Sequence, residues 1–300
     1  MIKINHYTSI PPLKEGEIIT PVEASSALKD QDKFIEGLEI FKSWGLNVSE
    51  NFEFSKRWGY LAGSDNDRYK NLHQSSSSAL LAFVRGGWGS ARLLEQNQPW
   101  RKGWFLGFSD VTSLLFSRLS AGYDGCIHGP MITSLAEEPD WSKQRLQALL
   151  FGDSLPDIYG EPLNKGIAQG PLVAANLTVA THLIGTAHMP DLTNAILVLE
   201  DIGEEPYKID RMLTHWRLAG ILNNLAGLCF GDFINCESGN DVSKHETFML
   251  DEILKDRITG LDIPIITNLP VGHGKGNAAL PLGKTALLNA EKGFLRIIPS

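Results

Sequence analysis

Gly107-Phe108-Ser109-Asp110 stands between an apolar run, Trp104-Phe105-Leu106, and a helix-like run carrying Val111, Leu114, Leu115 and Leu119. A serine at a sharp turn from strand to helix has its hydroxyl pushed out of the packed sheet. The free N–H groups of the helix start then point at whatever is bonded to that hydroxyl. This suits a nucleophile in acyl transfer, which also needs a base and a group to orient the base. The chain has eight histidines. His273 lies between Gly272 and Gly274 after an apolar strand, where the backbone bends freely and the ring is uncrowded. It reads either as the base or as a solvated loop histidine. His128, in Ile127-His128-Gly129-Pro130, is the rival base. His182, His188 and His215 lie on or beside helix-like segments and suit packing or capping.

Glu200 follows the apolar run Ala195-Ile196-Leu197-Val198-Leu199. A carboxylate at the carboxyl edge of a sheet can hold an imidazole in one tautomer and stabilise its protonated form. The plain alternative is a surface acid at a strand end. Asp201, Glu204 and Glu205 are nearby candidates, although the two glutamates also suit the positive end of the helix that Pro206 opens. Gly86-Gly87 follows Arg85 directly after a strand. With the Asp110 N–H, a backbone N–H of Gly86 or Gly87 can form an oxyanion hole. A plain tight turn is the alternative. A phosphate loop is disfavoured, because R-G-G-W-G-S matches neither nucleotide-binding pattern. No H-E-x-x-H and no paired histidine spacing supports a metal.

The elements that must position these residues follow a strand–helix rhythm. Glu17–Val22, Leu46–Val48, Ala79–Val84 and Trp104–Gly107 read as strands. Lys29–Trp44, closed by Gly45, and Asp65–His73 read as helices, and Ala91, Leu93 and Leu94 start another. Ser75 to Ser78 is a serine-rich break. The rhythm implies βαβ units and a mostly parallel sheet with its loops of interest at the carboxyl ends of strands. From Asp140 to about Lys165 a short amphipathic helix gives way to Gly152, Pro156, Gly160 and Pro162. This predicts a boundary near residue 160, with an N-terminal α/β domain over 1–160 and a C-terminal domain over 161–300. The second half predicts strands at Ala195–Leu199 and Leu225–Phe230, and a helix from Pro206 to Ala219. It also predicts a helix over Thr247–Leu254, an apolar run Ile263–Leu269, and a closing hairpin of Thr285–Asn289 with Phe294–Ile298.

Three hundred residues with 43% hydrophobic and 21% charged content describe an ordinary globular chain of one large or two smaller domains. The net charge of −8, with no dense Lys/Arg block, argues against nucleic acid as a partner. Three cysteines without a C-x-x-C pair predict neither a disulfide framework nor a thiolate zinc site, and suit a reducing cytoplasm. Neither a signal-peptide pattern nor an apolar run of about eighteen residues is present, so no membrane role is expected.

With these pieces in hand, the chain resembles the LD-carboxypeptidases (muramoyltetrapeptide carboxypeptidases, serine peptidase family S66). The resemblance runs from about Leu13 to the C-terminus. It is carried in order by Gly59-Tyr60-Leu61-Ala62-Gly63-Ser64, Arg85-Gly86-Gly87-Trp88-Gly89-Ser90 and Gly107-Phe108-Ser109-Asp110-Val111-Thr112. His128-Gly129-Pro130-Met131, Ala174-Ala175-Asn176-Leu177, Leu199-Glu200-Asp201-Ile202, Asp210-Arg211-Met212-Leu213 and Gly272-His273 follow. It implies a Ser109–Glu200–His273 triad without metal or cofactor. It implies an N-terminal α/β domain like the class I glutamine amidotransferases, a smaller mixed α/β C-terminal domain, and a homodimer. The implied reaction is release of terminal D-alanine from a murein tetrapeptide in cytoplasmic murein recycling. A branch of the family hydrolyses microcin C-type peptidyl nucleotides instead, and Trp88 is placed to serve a base. Arg85 suits the free terminal carboxylate by a bidentate contact, or else a structural salt bridge. A non-catalytic binding module using the Gly86-Gly87 turn is the remaining alternative. Two departures bear on substrate preference. Ala174-Ala175 stands where the family usually has Gly-Gly, and Val22-Glu23-Ala24-Ser25-Ser26 stands where it has a Pro-Ser-Ser turn.

Overall fold

The expected βαβ rhythm forms a six-stranded sheet in the first half of the chain. The computed structural model describes residues 10–49, 56–73, 78–237 and 247–299. The first half runs β1 (Ile18–Val22), α1 (Gln31–Ser43), β2 (Asn47–Val48), α2 (Asp65–His73), β3 (Leu80–Phe83), β4 (Trp104–Gly107), α3 (Thr112–Ser120), β5 (Cys126–His128), α4 (Ile132–Leu135) and α5 (Asp140–Phe151). The second half runs β6 (Ile158–Tyr159), β7 (Glu161–Asn164), β8 (Ile167–Asn176), α6 (Leu177–Leu183), β9 (Ile196–Ile202), α7 (Pro206–Leu218), β10 (Gly227–Ile234), α8 (Leu250–Ile258), β11 (Ile265–Thr267), β12 (Leu280–Pro281), β13 (Thr285–Asn289) and β14 (Phe294–Ile297).

The first sheet has the order β12-β5-β4-β3-β1-β2. Strands β1 to β5 are parallel, and β12 returns from the far end of the chain to pair antiparallel with β5. Successive side chains of a strand face opposite ways, and β3 buries both sets. Leu81 and Phe83 join the larger core, while Leu80 and Ala82 join a second core under α1, α4 and α5. Burial on both faces is why this run is apolar throughout instead of alternating.

The second sheet has the order β6-β14-β13-β8-β9-β10-β11-β7. Its centre, β8 to β11, is parallel, while β13, β14, β6 and β7 pair antiparallel. The mostly parallel sheet read from the strand–helix rhythm forms in the first half of the chain, and the sheet of the second half is mixed. The closing hairpin β13–β14 forms as read, but it extends β8, from Thr285 opposite Pro171 to Asn289 opposite Ile167.

Other boundaries moved for local reasons. The Ala91–Leu94 run forms only a short 3-10 stretch, Ser90–Glu95. The helix expected from Thr247 begins at Leu250, where the Glu252 carboxylate accepts from Met249 N at 2.8 Å, and continues to Ile258. Ser75 to Ser77 of the serine-rich break lie outside the described residues. Among the described residues no helix is long and apolar enough to cross a membrane. The three cysteines are buried and free.

Helix α3 is the element that positions the site. Its residues Thr112 to Leu119 are all buried, and its apolar side chains share one continuous core with β8, β9 and α6. Thr112 Oγ1 accepts from Asn176 N at 3.1 Å, at the point where β8 turns into α6. The helix that begins beside Ser109 is thus bonded to the sheet that carries Glu200.

Candidate active site

Ser109 sits immediately after β4, at φ +60°, in the left-handed region that L-residues with a Cβ rarely occupy. A 3-10 turn over Ser109–Val111 and then α3 follow it. The strand-to-helix elbow read from the sequence is therefore present, with its backbone held in a costly conformation.

The second sheet supplies the carboxylate. Strand β9 does not stop at Leu199; it continues to Ile202 and takes Glu200 inside, where the residue is fully buried. The surface-acid alternative is thereby excluded. Asn176 on β8 is the register partner of Glu200, and the neighbouring Asp201 has a structural task. Its carboxylate accepts from Asn176 Nδ2 at 3.0 Å, from Thr178 N at 2.9 Å and from Thr178 Oγ1 at 2.8 Å. Asn176 in turn caps α6, its Oδ1 accepting from Val179 N at 3.1 Å.

His273 lies in the loop after β11, and Asn277 shapes that loop from inside. Asn277 Oδ1 accepts from Gly272 N at 3.1 Å, its own N donates to Glu138 Oε2 at 2.8 Å, and its carbonyl accepts from Ser142 Oγ at 2.8 Å. So shaped, the loop sets His273 Nδ1 2.6 Å from Glu200 Oε2. The His273 side chain keeps 16% of its surface exposed while that of Glu200 keeps none. The ring of Phe108, the residue before Ser109, lies 4.7 Å from the His273 ring. Phe108 and His273 share a cleft of ≈ 470 Å³ with Ser134, Glu138 and Lys275. Glu200 and His273, from two separate segments, are thus bonded to each other, and the residue before Ser109 packs against the His273 ring.

The charges agree with this geometry. Burial alone works against a charged Glu200, but the imidazoles of His128 and His273 outweigh it and bring its carboxyl to about 2. Burial likewise works against a protonated His273; the Glu200 bond and charge, with Asp201 and Asp232 nearby, raise its pKa above the ordinary histidine value. A neutral His273 whose Nδ1–H is held by Glu200 presents Nε2 as a base.

Gly272 makes the close approach of loop and carboxylate possible. Its φ is +127°, and a Cβ there would stand 2.8 Å from Glu200 Cβ and 2.9 Å from Oε2. Gly272→Ala is expected to push Glu200 away from His273 and lower kcat/KM by about a hundredfold. It should also destabilise the fold by about 1–3 kcal/mol. Steady-state kinetics and a urea melt check both; an unchanged kcat/KM would show that the packing is not needed.

The glycine turn borders the nucleophile. A Cβ on Gly86 would stand 3.0 Å from Ser109 Oγ, and one on Gly87, at φ +112°, would strike Ser26 Oγ. Two serines brace this turn. Ser26 N donates to the Gly86 carbonyl at 3.3 Å and Ser26 Oγ accepts from Trp88 N at 3.1 Å. Ser25 Oγ donates to Asp110 Oδ2 at 2.6 Å, and Ser90 N donates to the same oxygen at 2.9 Å. The Asp110 side chain therefore ties the end of the glycine turn to the elbow. Sequence reading noticed Ser25-Ser26 only as a departure from a Pro-Ser-Ser pattern and missed their bracing role; small hydroxyl residues after a strand were the available signal.

The remaining sequence candidates separate. His128 is completely buried, which removes it as the rival base. His182 Nδ1 pairs with the Thr178 carbonyl at 2.7 Å and His188 Nδ1 with Ser117 Oγ at 2.9 Å, while His215 lies in the last turn of α7. Arg85 donates to the Ala27 carbonyl at 2.9 Å, so its structural contact is to a carbonyl and not to a carboxylate. Trp88 is 65% exposed and meets Tyr60 edge to face at 6.1 Å. Among the described residues, no group of three or more His, Cys, Asp or Glu could hold a metal ion.

Two family profiles cover most of the chain, the LD-carboxypeptidase N-terminal domain over residues 18–129 and the LD-carboxypeptidase C-terminal domain over residues 169–288. A Synechocystis sp. protein that carries a provisional carboxypeptidase name is 42% identical, over 96% of each chain. The chain belongs to the LD-carboxypeptidase family. Its relatives include the murein tetrapeptide carboxypeptidase of Pseudomonas aeruginosa, 31% identical over 93% of this chain and 94% of that one. Among solved structures, a muramoyltetrapeptide carboxypeptidase from Oxalobacter formigenes superposes with a TM-score of 0.81 at 25% identity, covering 93% of this chain and 97% of that one. The microcin C7 self-immunity protein MccF, solved with glutamyl sulfamoyl guanosine, shares the fold with a TM-score of 0.85 at 18% identity, over 98% and 99% of the two chains. Membership in this LD-carboxypeptidase family supports a serine carboxypeptidase.

Proposed function

We propose that this LD-carboxypeptidase hydrolyses the amide bond between an L-configured centre and a terminal D-alanine in murein tetrapeptides, in murein recycling. The observation that carries this reading is the 2.6 Å bond from His273 Nδ1 to buried Glu200, next to the Ser109 elbow. Ser109 Oγ attacks the terminal amide carbonyl while His273 Nε2 takes its proton. The carbonyl oxygen becomes an oxyanion, held by N–H groups of Gly86 or Gly87 and Asp110. As the tetrahedral species collapses, the C–N bond breaks and His273 returns the proton to the departing D-alanine amine. Water then attacks the acyl-serine, with His273 again as base, and releases the shortened peptide and free Ser109. Glu200 stays ionised throughout and stabilises the imidazolium.

A carboxypeptidase must also bind a free terminal carboxylate. Burial and the nearby charge of Arg57 both weaken the charged form of Arg85. A second cation close by favours an anionic ligand there, which supports Arg85 as the carboxylate contact. In this reading the nucleophile belongs to an N-terminal domain ending near residue 160, and Glu200 and His273 to the domain that follows. The buried free thiols favour a reducing compartment.

One observation favours a second reading. The exposed Trp88–Tyr60 pair offers aromatic surface near the site on which a nucleobase can stack, and MccF is also a relative in sequence. Incubation with murein tri-, tetra- and pentapeptides and with a peptidyl nucleotide, followed by mass spectrometry, separates the two. Loss of one D-alanine from the tetrapeptide alone is the expected result. Cleavage confined to the peptidyl nucleotide overturns the murein reading.

A further inference from the structure

Glu200 has two oxygens, and the triad uses one. Oε2 accepts from His273, whereas Oε1 is buried and has no hydrogen-bond partner among the described residues. An unpaired buried carboxylate oxygen is costly. The polar side chain facing it is His128, whose Nε2 lies 3.8 Å from Oε1. His128 is itself fully buried, and neither of its ring nitrogens has a partner among the described residues. Its backbone is fixed from both sides: on β5 it is in register with Gly107 of β4 and with Leu280 of β12. Phe108 packs against both imidazoles, its ring 5.8 Å from His128 and 4.7 Å from His273.

We propose that His128 is a positioning residue, whose Nε2–H serves the second oxygen of Glu200 and fixes that carboxylate against His273. The inference rests on the triad reading above. An approach of about 1 Å turns the present separation into a hydrogen bond, and catalytic hydrogen bonds are often long before substrate binds. The geometry also explains a full-length buried histidine at the end of a short strand, where an apolar side chain would otherwise complete the core.

The test avoids any assumed substrate. Long-range 1H–15N spectra of the 15N-histidine-labelled protein report each tautomer and the titration of His273. Labelling of Ser109 by a fluorophosphonate, followed against pH, reports the reactivity of the nucleophile. The charged and titratable groups around His273 are Glu200 and Asp201 on β9, Asp232 on β10, His128 on β5, and Glu137, Glu138 and Lys275 of the shared cleft; all but His128 are kept in the variants. In the wild type, His128 is expected as the Nε2–H form. His128→Phe fills the space without a donor. Loss of the donor concentrates charge on Glu200, so His273 should hold its proton to higher pH. Labelling should slow by about ten- to a hundredfold, with its acid limb moved upward. His128→Gln, which keeps an N–H, should restore the limb.

An Nδ1–H tautomer at His128 in the wild type overturns the proposal, whether or not either variant folds. So does a folded His128→Phe protein with an unchanged limb and labelling rate. If wild-type Ser109 resists labelling, the nucleophile reading fails instead, and the tautomer still decides the role of His128.

Discussion

Ser109→Ala is expected to lower kcat for D-alanine release by about 10⁴- to 10⁶-fold while leaving the fold intact. The size follows from what the hydroxyl does. Without Oγ there is no acyl-enzyme, and His273 and Glu200 are left with no nucleophile to activate. The residual rate comes from the oxyanion donors and substrate binding alone. KM should change little, because Oγ contributes to the transition state more than to ground-state binding. Purified Ser109→Ala protein releasing D-alanine at the wild-type rate would remove the mechanism. A companion variant separates chemistry from strain. Ser109 is held at φ +60°, a region that costs a residue with a Cβ about 1–2 kcal/mol. Ser109→Gly should therefore be equally inactive yet more stable than Ser109→Ala by about 1 kcal/mol in a thermal melt. Equal melting of the two would show that the elbow is relaxed.

The elbow was legible in the sequence because everything that makes it is local. An apolar strand, a short turn and a helix-like run adjoin one another, and β4 forms over the span read for it, Trp104–Gly107. The same holds for α2, Asp65–His73, and α7 starts where it was read to start, at Pro206, a residue suited to the first helical position. Partners far apart in sequence were not legible. Nothing near Leu280 signals that it will pair with His128, or near Thr285 that it will pair with Pro171. That pairing of β12 with β5 encloses His128, so the same imidazole that reads as a candidate base along the chain becomes a buried group behind the triad. Glu200 illustrates the converse. Its place after five apolar residues suggested a strand end, but a carboxylate can extend a strand into the core when two imidazoles face it. The bracing by Ser25, Ser26 and Asp110 depends on three loops meeting, which no local pattern reports.

Glu200→Gln preserves the shape of the side chain and removes its charge, so it isolates the electrostatic role. Glutamine can present either its carbonyl or its amide to His273 Nδ1. If the amide faces the ring, the imidazole is driven to the wrong tautomer, with Nε2 protonated and unable to accept from Ser109. Even with the carbonyl facing it, the imidazolium formed during attack loses its counter-charge inside a buried site. The expected loss in kcat is about 10³- to 10⁴-fold. The pH profile adds a signed check. His273 must be neutral to act as base, so kcat/KM should rise with pH through the His273 pKa. That pKa stands above the ordinary histidine value because the Glu200 bond and charge outweigh burial. In Glu200→Gln the burial remains and the charge does not, so the acid limb should move to lower pH even as the plateau falls. This is opposite to the direction expected when the donor behind Glu200 is removed at His128. Opposite displacements from two variants on either side of one carboxylate would tie the proton affinity of His273 to that group. Displacement of both in the same direction would place its control elsewhere, with Asp232 and Asp201 and the Glu138 and Lys275 of the shared cleft as the other charges near the ring.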